Sequence, residues 1–216
     1  MKNYNGMEIS AEDINLFRNR IKTSYEAYLE KVIFEWNPTL LEITEGRKSL
    51  FKDKVRTLFY SWCGDWVTKN IRNGGCGHGL ALNRQELNNG KWIPGVNLTM
   101  MQAWAGDSGA LLDPNLKHRF DNDSSAGKSW HPWDEKNDVC VDGYEPQLCD
   151  VIFTNRKGGG HTEFWVERNG HMLTVSAGAQ YEVKLGICAA MRTKDLATTD
   201  MRGIMDISAL CSDNPY

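Results

Sequence analysis

The 216-residue sequence has no run of about 18 apolar residues, which is the length that a membrane-spanning helix needs. Its first residues, MKNYNGMEISAEDINLF, lack the apolar stretch of a secretory signal. An excess of basic residues is also missing, since 25 Lys and Arg stand against 28 Asp and Glu. We therefore expect no membrane span, no nucleic-acid partner, and synthesis in the cytoplasm without a Sec signal.

Paired metal-binding motifs are absent as well. Cys76 lies near His78, and His131 lies near Asp134, but no second Cys-x-x-Cys or His-x-x-x-His pair accompanies them. These four residues are interpreted as loop residues. We expect no metal and no organic cofactor.

Six cysteines do not decide the redox compartment. If one of them is a working nucleophile, five remain, an odd number that cannot all pair within one chain. Cys140 and Cys149 bracket the short segment VDGYEPQL, and they either form a disulfide in an oxidising compartment or remain reduced and buried.

Hydrophobic residues make up 41% of the chain, which is enough for one globular domain over residues 1–216. Ser10 as N-cap and the apolar spacing after it predict a helix over 10–35. The stretch 46–72 predicts helix in two pieces, and the second piece begins near Ser61 and has Cys63 at its start. An N-terminal helical extension, about 1–45, precedes these two pieces.

The region 73–149 has many turn residues and predicts a loop-rich insertion that faces substrate, with short helices near 80–87 and 98–104. Three of its tryptophans either line a groove for a glycan or peptide or cover the core: Trp104, Trp130 and Trp133.

β-Branched and aromatic runs in the last third predict strands, and these lie at 150–155, 161–166, 172–176 and 181–187. Asn169-Gly170 predicts a tight hairpin turn that pairs Arg168 with His171. The predicted fold class is α+β, with N-terminal helices packed on a C-terminal antiparallel sheet.

Cys63 and His161 are the candidate reactive residues. A thiol attacks a carbonyl as thiolate, which is favoured at a helix N-terminus and beside an imidazole that accepts its proton. His161 follows three glycines at the head of a predicted strand, where the backbone leaves room for a substrate. Taken alone, each residue is more typical of a structural role, Cys63 as a buried thiol and His161 as a surface histidine, and the flanking motifs reverse this preference.

Three segments resemble the papain-like NlpC/P60 and CHAP cysteine amidases. SWCGDWV at 61–67 is similar to the helix that carries their nucleophile. EPQLCDVIF at 145–153 is similar to their P-x-x-G-D-V-hydrophobic-F strand, and GHTEFWV at 160–166 to their histidine strand. Cys149 and Glu163 depart from the family pattern, which has glycine and a small residue at these positions. The resemblance implies a papain-like fold with Cys63 as nucleophile at a helix N-terminus and His161 as base.

A third residue orients the histidine in that family, and by resemblance this position falls on Ser176. The predicted pairing places Ser176 opposite Glu163, and Gln180 near His161. Gln180 and Glu163 therefore remain alternatives, and Glu163 is the charged one. The backbone N–H of Cys63 and the hydroxyl of Tyr60 are the expected oxyanion donors.

The resemblance implies a peptidoglycan hydrolase that cleaves an amide bond in the bacterial cell wall. The chain resembles type VI secretion effectors in its size and in its lack of a wall-binding repeat, and such effectors act in the periplasm of target cells. Such a toxin would have a secretion-apparatus carrier and a cognate immunity protein. A phage endolysin, a papain-like protease or deamidase acting on a cytoplasmic protein, and an inactive binding module are the alternatives.

Overall fold

A computed structural model describes residues 1–27, 62–76, 96–110, 123–156, 159–169, 171–179, 188–194 and 200–211. The side chains of Cys63 and Ser176 lie outside the described part, although their backbone is described. In the described residues, no helix is long and apolar enough to cross a membrane.

Three helices are described: α1 (Ala11–Glu26), α2 (Trp62–Asn73) and α3 (Val96–Ala105). The predicted N-cap of α1 is confirmed, because the Ser10 hydroxyl accepts from the Asp13 N–H and the Asp13 carboxylate accepts from the Ser10 N–H, both at 3.1 Å. This reciprocal capping satisfies backbone donors that a helix start leaves without partners. The predicted helices at 62–72 and near 98–104 are also confirmed, and the one near 80–87 lies outside the described residues.

Seven strands form one sheet, and every described pair is antiparallel. The strands are β1 (Trp130–Asp134), β2 (Val139–Cys140), β3 (Val151–Arg156), β4 (Gly159–Asn169), β5 (His171–Ala179), β6 (Cys188–Lys194) and β7 (Met201–Met205). Their order across the sheet is β2-β1-β7-β3-β4-β5-β6. The α+β class is therefore confirmed.

Strand positions agree with the sequence at β3, β4 and β5, whereas β1, β2, β6 and β7 were not predicted. The predicted strand at 181–187 lies outside the described residues. β1 and β2 fall within the predicted loop-rich region 73–149, yet β1 pairs with β7 and so belongs to the main sheet.

The predicted register of the β4–β5 hairpin is wrong at its turn. Arg168 pairs with Met172 rather than with His171, and Asn169 pairs with His171. A bulge between Trp165 and Glu167 then shifts the register by one residue, because an extra residue on one strand displaces all later pairs.

Side chains on the two faces of the sheet belong to two separate parts of the core. On one face, Phe164 contacts both helices: its ring centroid lies 5.8 Å from that of Tyr25 in α1 and 5.7 Å from that of Trp66 in α2. The other face carries a smaller apolar cluster that includes Ile152, Trp165 and five further residues: Trp133, Cys140, Met172, Met201 and Ile204. We call these the helix face and the second face.

Arg18 connects α1 to the chain around the sheet. Its guanidinium donates to Asp150 Oδ1 at 2.7 Å, to Asp206 Oδ1 at 2.9 Å and to the Ser208 hydroxyl at 3.0 Å, and it also donates to the carbonyl of Leu148. Its side chain is only 5% exposed and that of Asp150 is fully buried. This buried network holds α1 against both the start of β3 and the segment after β7.

Candidate active site

A buried chain of polar side chains runs from β5 to β4 on the second face of the sheet. His161 Nε2 lies 3.2 Å from Glu163 Oε1, and the Thr174 hydroxyl donates to Glu163 Oε2 at 2.5 Å. The side chain of Glu163 is fully buried and that of His161 is 7% exposed. A carboxylate at this distance stabilises the protonated form of the imidazole.

The strand geometry explains why these residues meet. His161 and Glu163 are two residues apart on β4, so their side chains leave the sheet on the same side. Thr174 pairs with Trp165 and is therefore a diagonal neighbour of Glu163. On the other side of β4, Thr154 pairs with His161 and donates its hydroxyl to the His161 carbonyl at 3.4 Å.

Of the alternatives for the third residue, Glu163 is the one whose side chain the structure places beside His161. For Ser176 the backbone lies in β5, in line with the predicted pairing to Glu163, because Phe164 pairs with Val175 next to it. Its side chain is outside the described part. Gln180 and Tyr60 lie outside the described residues altogether.

Cys63 is the second residue of α2 as described, close to the place that the sequence predicts for it. Phe164 contacts α2 from one face of the sheet. His161 and Glu163 lie at alternate positions to Phe164 along β4, so the imidazole lies on the opposite face of the sheet. β4 begins at Gly159, only two residues before His161. The described residues therefore do not bring His161 onto the sheet face that contacts α2.

A second imidazole lies on the same face, at β1. His131 Nδ1 lies 2.8 Å from Asp142 Oδ2, and the ring stacks on Tyr144 with centroids 3.6 Å apart. Burial raises the pKa of Asp142, but its hydrogen bonds with His131 and with the Tyr144 N–H outweigh this effect and lower the pKa from its ordinary value. Asp134, the partner considered from the sequence, instead accepts from Asn137 in the following turn.

The described cysteines are poor candidates for a nucleophile. Cys140 and Cys149 are buried free thiols and form no disulfide. Burial raises the pKa of Cys140 to about 12 and raises the pKa of Cys149 strongly, so neither forms thiolate near neutral pH. Among the described residues, no group of three His, Cys, Asp or Glu side chains could hold a metal ion.

Thr174 is the site residue that sequence reasoning missed. The sequence does indicate this residue, because the predicted pairing of Glu163 with Ser176 also makes Thr174 a diagonal neighbour of Glu163. A buried carboxylate needs hydrogen-bond donors, and the Thr174 hydroxyl supplies one to Glu163.

Comparisons with protein-family models, with curated proteins and with solved structures find no match to this chain.

Proposed function

We propose that the protein is a cysteine hydrolase that cleaves an amide bond of bacterial peptidoglycan, with His161 as base and Glu163 as the residue that orients it. The observation that carries the proposal is the buried chain from Thr174 through Glu163 to His161 Nε2. With Nε2 held toward the carboxylate, Nδ1 is the nitrogen that serves as base. Cys63 is the proposed nucleophile because of its position in α2 and because it belongs to the SWCGDWV motif.

The proposed reaction is acyl transfer in two steps. The Cys63 thiol gives its proton to His161, and its sulfur attacks the amide carbonyl to form a tetrahedral intermediate. The C–N bond then breaks, the amine leaves with the proton from His161, and a thioester remains. Water, deprotonated by His161, hydrolyses the thioester and regenerates the thiol. The Cys63 N–H and the Tyr60 hydroxyl are the proposed oxyanion donors.

Peptidoglycan is the proposed substrate because the three motif segments resemble wall amidases. Type VI delivery into the periplasm of a target cell, with a carrier and a cognate immunity protein, belongs to the same proposal, and release by phage lysis is the alternative. A protease or deamidase acting on a cytoplasmic protein is the second candidate function, since the same dyad would serve it.

Digestion of purified sacculi tests the substrate. The full chain should release muropeptides whose masses identify the cleaved bond, and Cys63→Ala and His161→Ala should release none. Expression directed to the periplasm should lyse the host, whereas cytoplasmic expression should not. Toxicity confined to the cytoplasm, with intact sacculi, would instead support the protein-directed enzyme, and toxicity that survives Cys63→Ala would support a binding module.

A further inference from the structure

A groove of about 690 Å³ lies beside the outer end of β4. It is lined by Trp133, Trp165 and the segments Gly143–Leu148 and Val166–Arg168, among others. This volume lies within the range of about 300–1,000 Å³ that is usual for ligand sites. The proposed catalytic residues are not among those that line it.

A buried donor in this groove has no acceptor. Trp133 is 7% exposed, and its indole N–H has no hydrogen-bond partner among the described residues. Buried polar groups nearly always have a partner, so an unpartnered N–H on a side chain that lines a groove favours a ligand that brings an acceptor oxygen against Trp133. The rings of Trp133 and Trp165 are too deeply buried to offer a flat face to a sugar, since Trp165 is only 3% exposed.

The groove also runs along a strand edge. Pairing between β3 and β4 ends at Val151 and Phe164. On the β3 side of β4, the last backbone hydrogen bonds join Trp165 to Cys149 and to Asp150, each at 2.8 Å. β4 continues to Asn169 beyond this point. Residues 166–168 therefore present strand backbone to the groove, with no strand beside them on this side among the described residues. An extended peptide pairs with such an edge by adding a strand.

Charge at the rim favours a cation. Glu145 and Glu167 are exposed and line the groove. Arg168 is the basic lining residue, and its guanidinium already donates to the carbonyl of Asp138 at 2.7 Å. Two carboxylates against one guanidinium leave the rim with a net negative charge, which favours a basic side chain of a ligand.

We propose that this groove binds an extended peptide that carries a basic side chain. The peptide pairs with the β4 edge at 166–168, an apolar side chain enters between Trp133 and Leu148, a peptide oxygen accepts the Trp133 N–H, and the basic group lies near Glu145 and Glu167. The groove is lined by described residues and does not include Cys63. Trp165 and His161 are four residues apart on one strand, roughly 13 Å, and β3 occupies the strand edge between them, so the groove is separate from the imidazole.

Binding is tested with two capped pentapeptides, acetyl-AVLKA-amide and acetyl-AVLEA-amide, and with the tetramer of N-acetylglucosamine. We expect the full chain at low salt to bind the lysine peptide more tightly than the other two ligands. The variant Glu145→Gln/Glu167→Gln should bind the lysine peptide roughly fivefold more weakly, because two exposed carboxylates attract a cation modestly. Glu8→Gln/Glu12→Gln, which removes two exposed carboxylates near the N-terminus, is the matched control and should bind like the natural protein.

The Trp133 indole resonance in a ¹⁵N-¹H spectrum gives a second readout, assigned by its loss in Trp133→Phe. It should shift when the lysine peptide is added. Equal affinity for both peptides, tighter binding of the saccharide, no binding at all, or equal affinity of the two double variants would each overturn the proposal. If Trp133→Phe does not fold, the proposal is tested by the affinities of the two glutamine variants alone. Both variants change exposed residues only. These binding experiments measure no turnover, so a negative result would not affect the hydrolase proposal. A negative result in the sacculus assay would likewise not affect the proposal of peptide binding in the groove.

Discussion

Contacts with His161 and Thr174 define the position of the Glu163 carboxylate in the candidate site. It contacts His161 Nε2 at 3.2 Å and is fully buried, so Glu163→Gln keeps the shape but removes the charge that stabilises imidazolium. We expect kcat/KM on sacculi to fall roughly 10²- to 10⁴-fold, the scale seen when the carboxylate of a catalytic triad is made an amide. The measurement is the initial rate of muropeptide release at equal concentrations of folded protein.

Ser176→Ala is the matched control for this prediction, because Ser176 is the orienting residue that the resemblance suggests. It should keep most of the activity. Thr174→Val should lower activity less than Glu163→Gln does, and Thr174→Ser, which keeps the hydroxyl donated to Glu163, should restore it. If Ser176→Ala abolishes activity while Glu163→Gln retains it, the assignment of Glu163 is wrong.

The buried thiols lead to a prediction about chemical labelling. Because burial raises the pKa of Cys140 to about 12, only about 10⁻⁴ of this thiol is ionised at pH 8, and the pKa of Cys149 is raised still further. We expect iodoacetamide at pH 8 to leave both residues unmodified in the folded protein and to modify both after unfolding in guanidinium. A nucleophilic Cys63 should be modified first. Peptide mass analysis measures all three, and rapid modification of Cys149 in folded protein would contradict the buried geometry.

Helices were predicted from the sequence more successfully than strands, because their signals are local. The capping box of α1 lies within four residues, and the apolar spacing of α2 lies within twelve. β1 and β7 have no such signal: β1 contains Pro132, and β7 contains Gly203, which usually interrupt strands. Gly203 is explained by a long-range contact instead, since a Cβ atom there would lie 2.5 Å from the ring of Trp130.

The hairpin shows the same limit within one element pair. Asn169-Gly170 correctly predicted that two consecutive strands pair as a hairpin, but the bulge at Val166 has no sequence signal, and it changes the register beside the turn. His161 was predicted from its motif and Glu163 from strand alternation. That these two lie opposite the face that contacts α2 depends on how the helices pack on the sheet, which periodicity along β4 does not reveal.

The whole molecule depends on the Arg18 network, which joins its first helix to its last described segment. Asp150 is fully buried, and burial raises its pKa to about 6 although Arg18 opposes this. Arg18→Met would leave a buried carboxylate without its cation, and breaking such a pair costs about 3–5 kcal/mol in the free energy of unfolding. We expect this loss at pH 8, measured by urea unfolding.

The same network predicts the pH dependence of that loss. A carboxyl whose folded pKa lies above its unfolded pKa destabilises the fold as pH rises through the folded value, since its ionised form is the disfavoured one. Arg18→Met raises the pKa of Asp150 further, so at pH 5 the carboxyl is protonated and needs no cation. The destabilisation should therefore be smaller at pH 5 than at pH 8. Arg20→Met, a half-buried arginine on the same helix, is the control and should show a small effect at both pH values. An equal loss at pH 5 and pH 8 would mean that Arg18 stabilises the fold through contacts other than the one with Asp150.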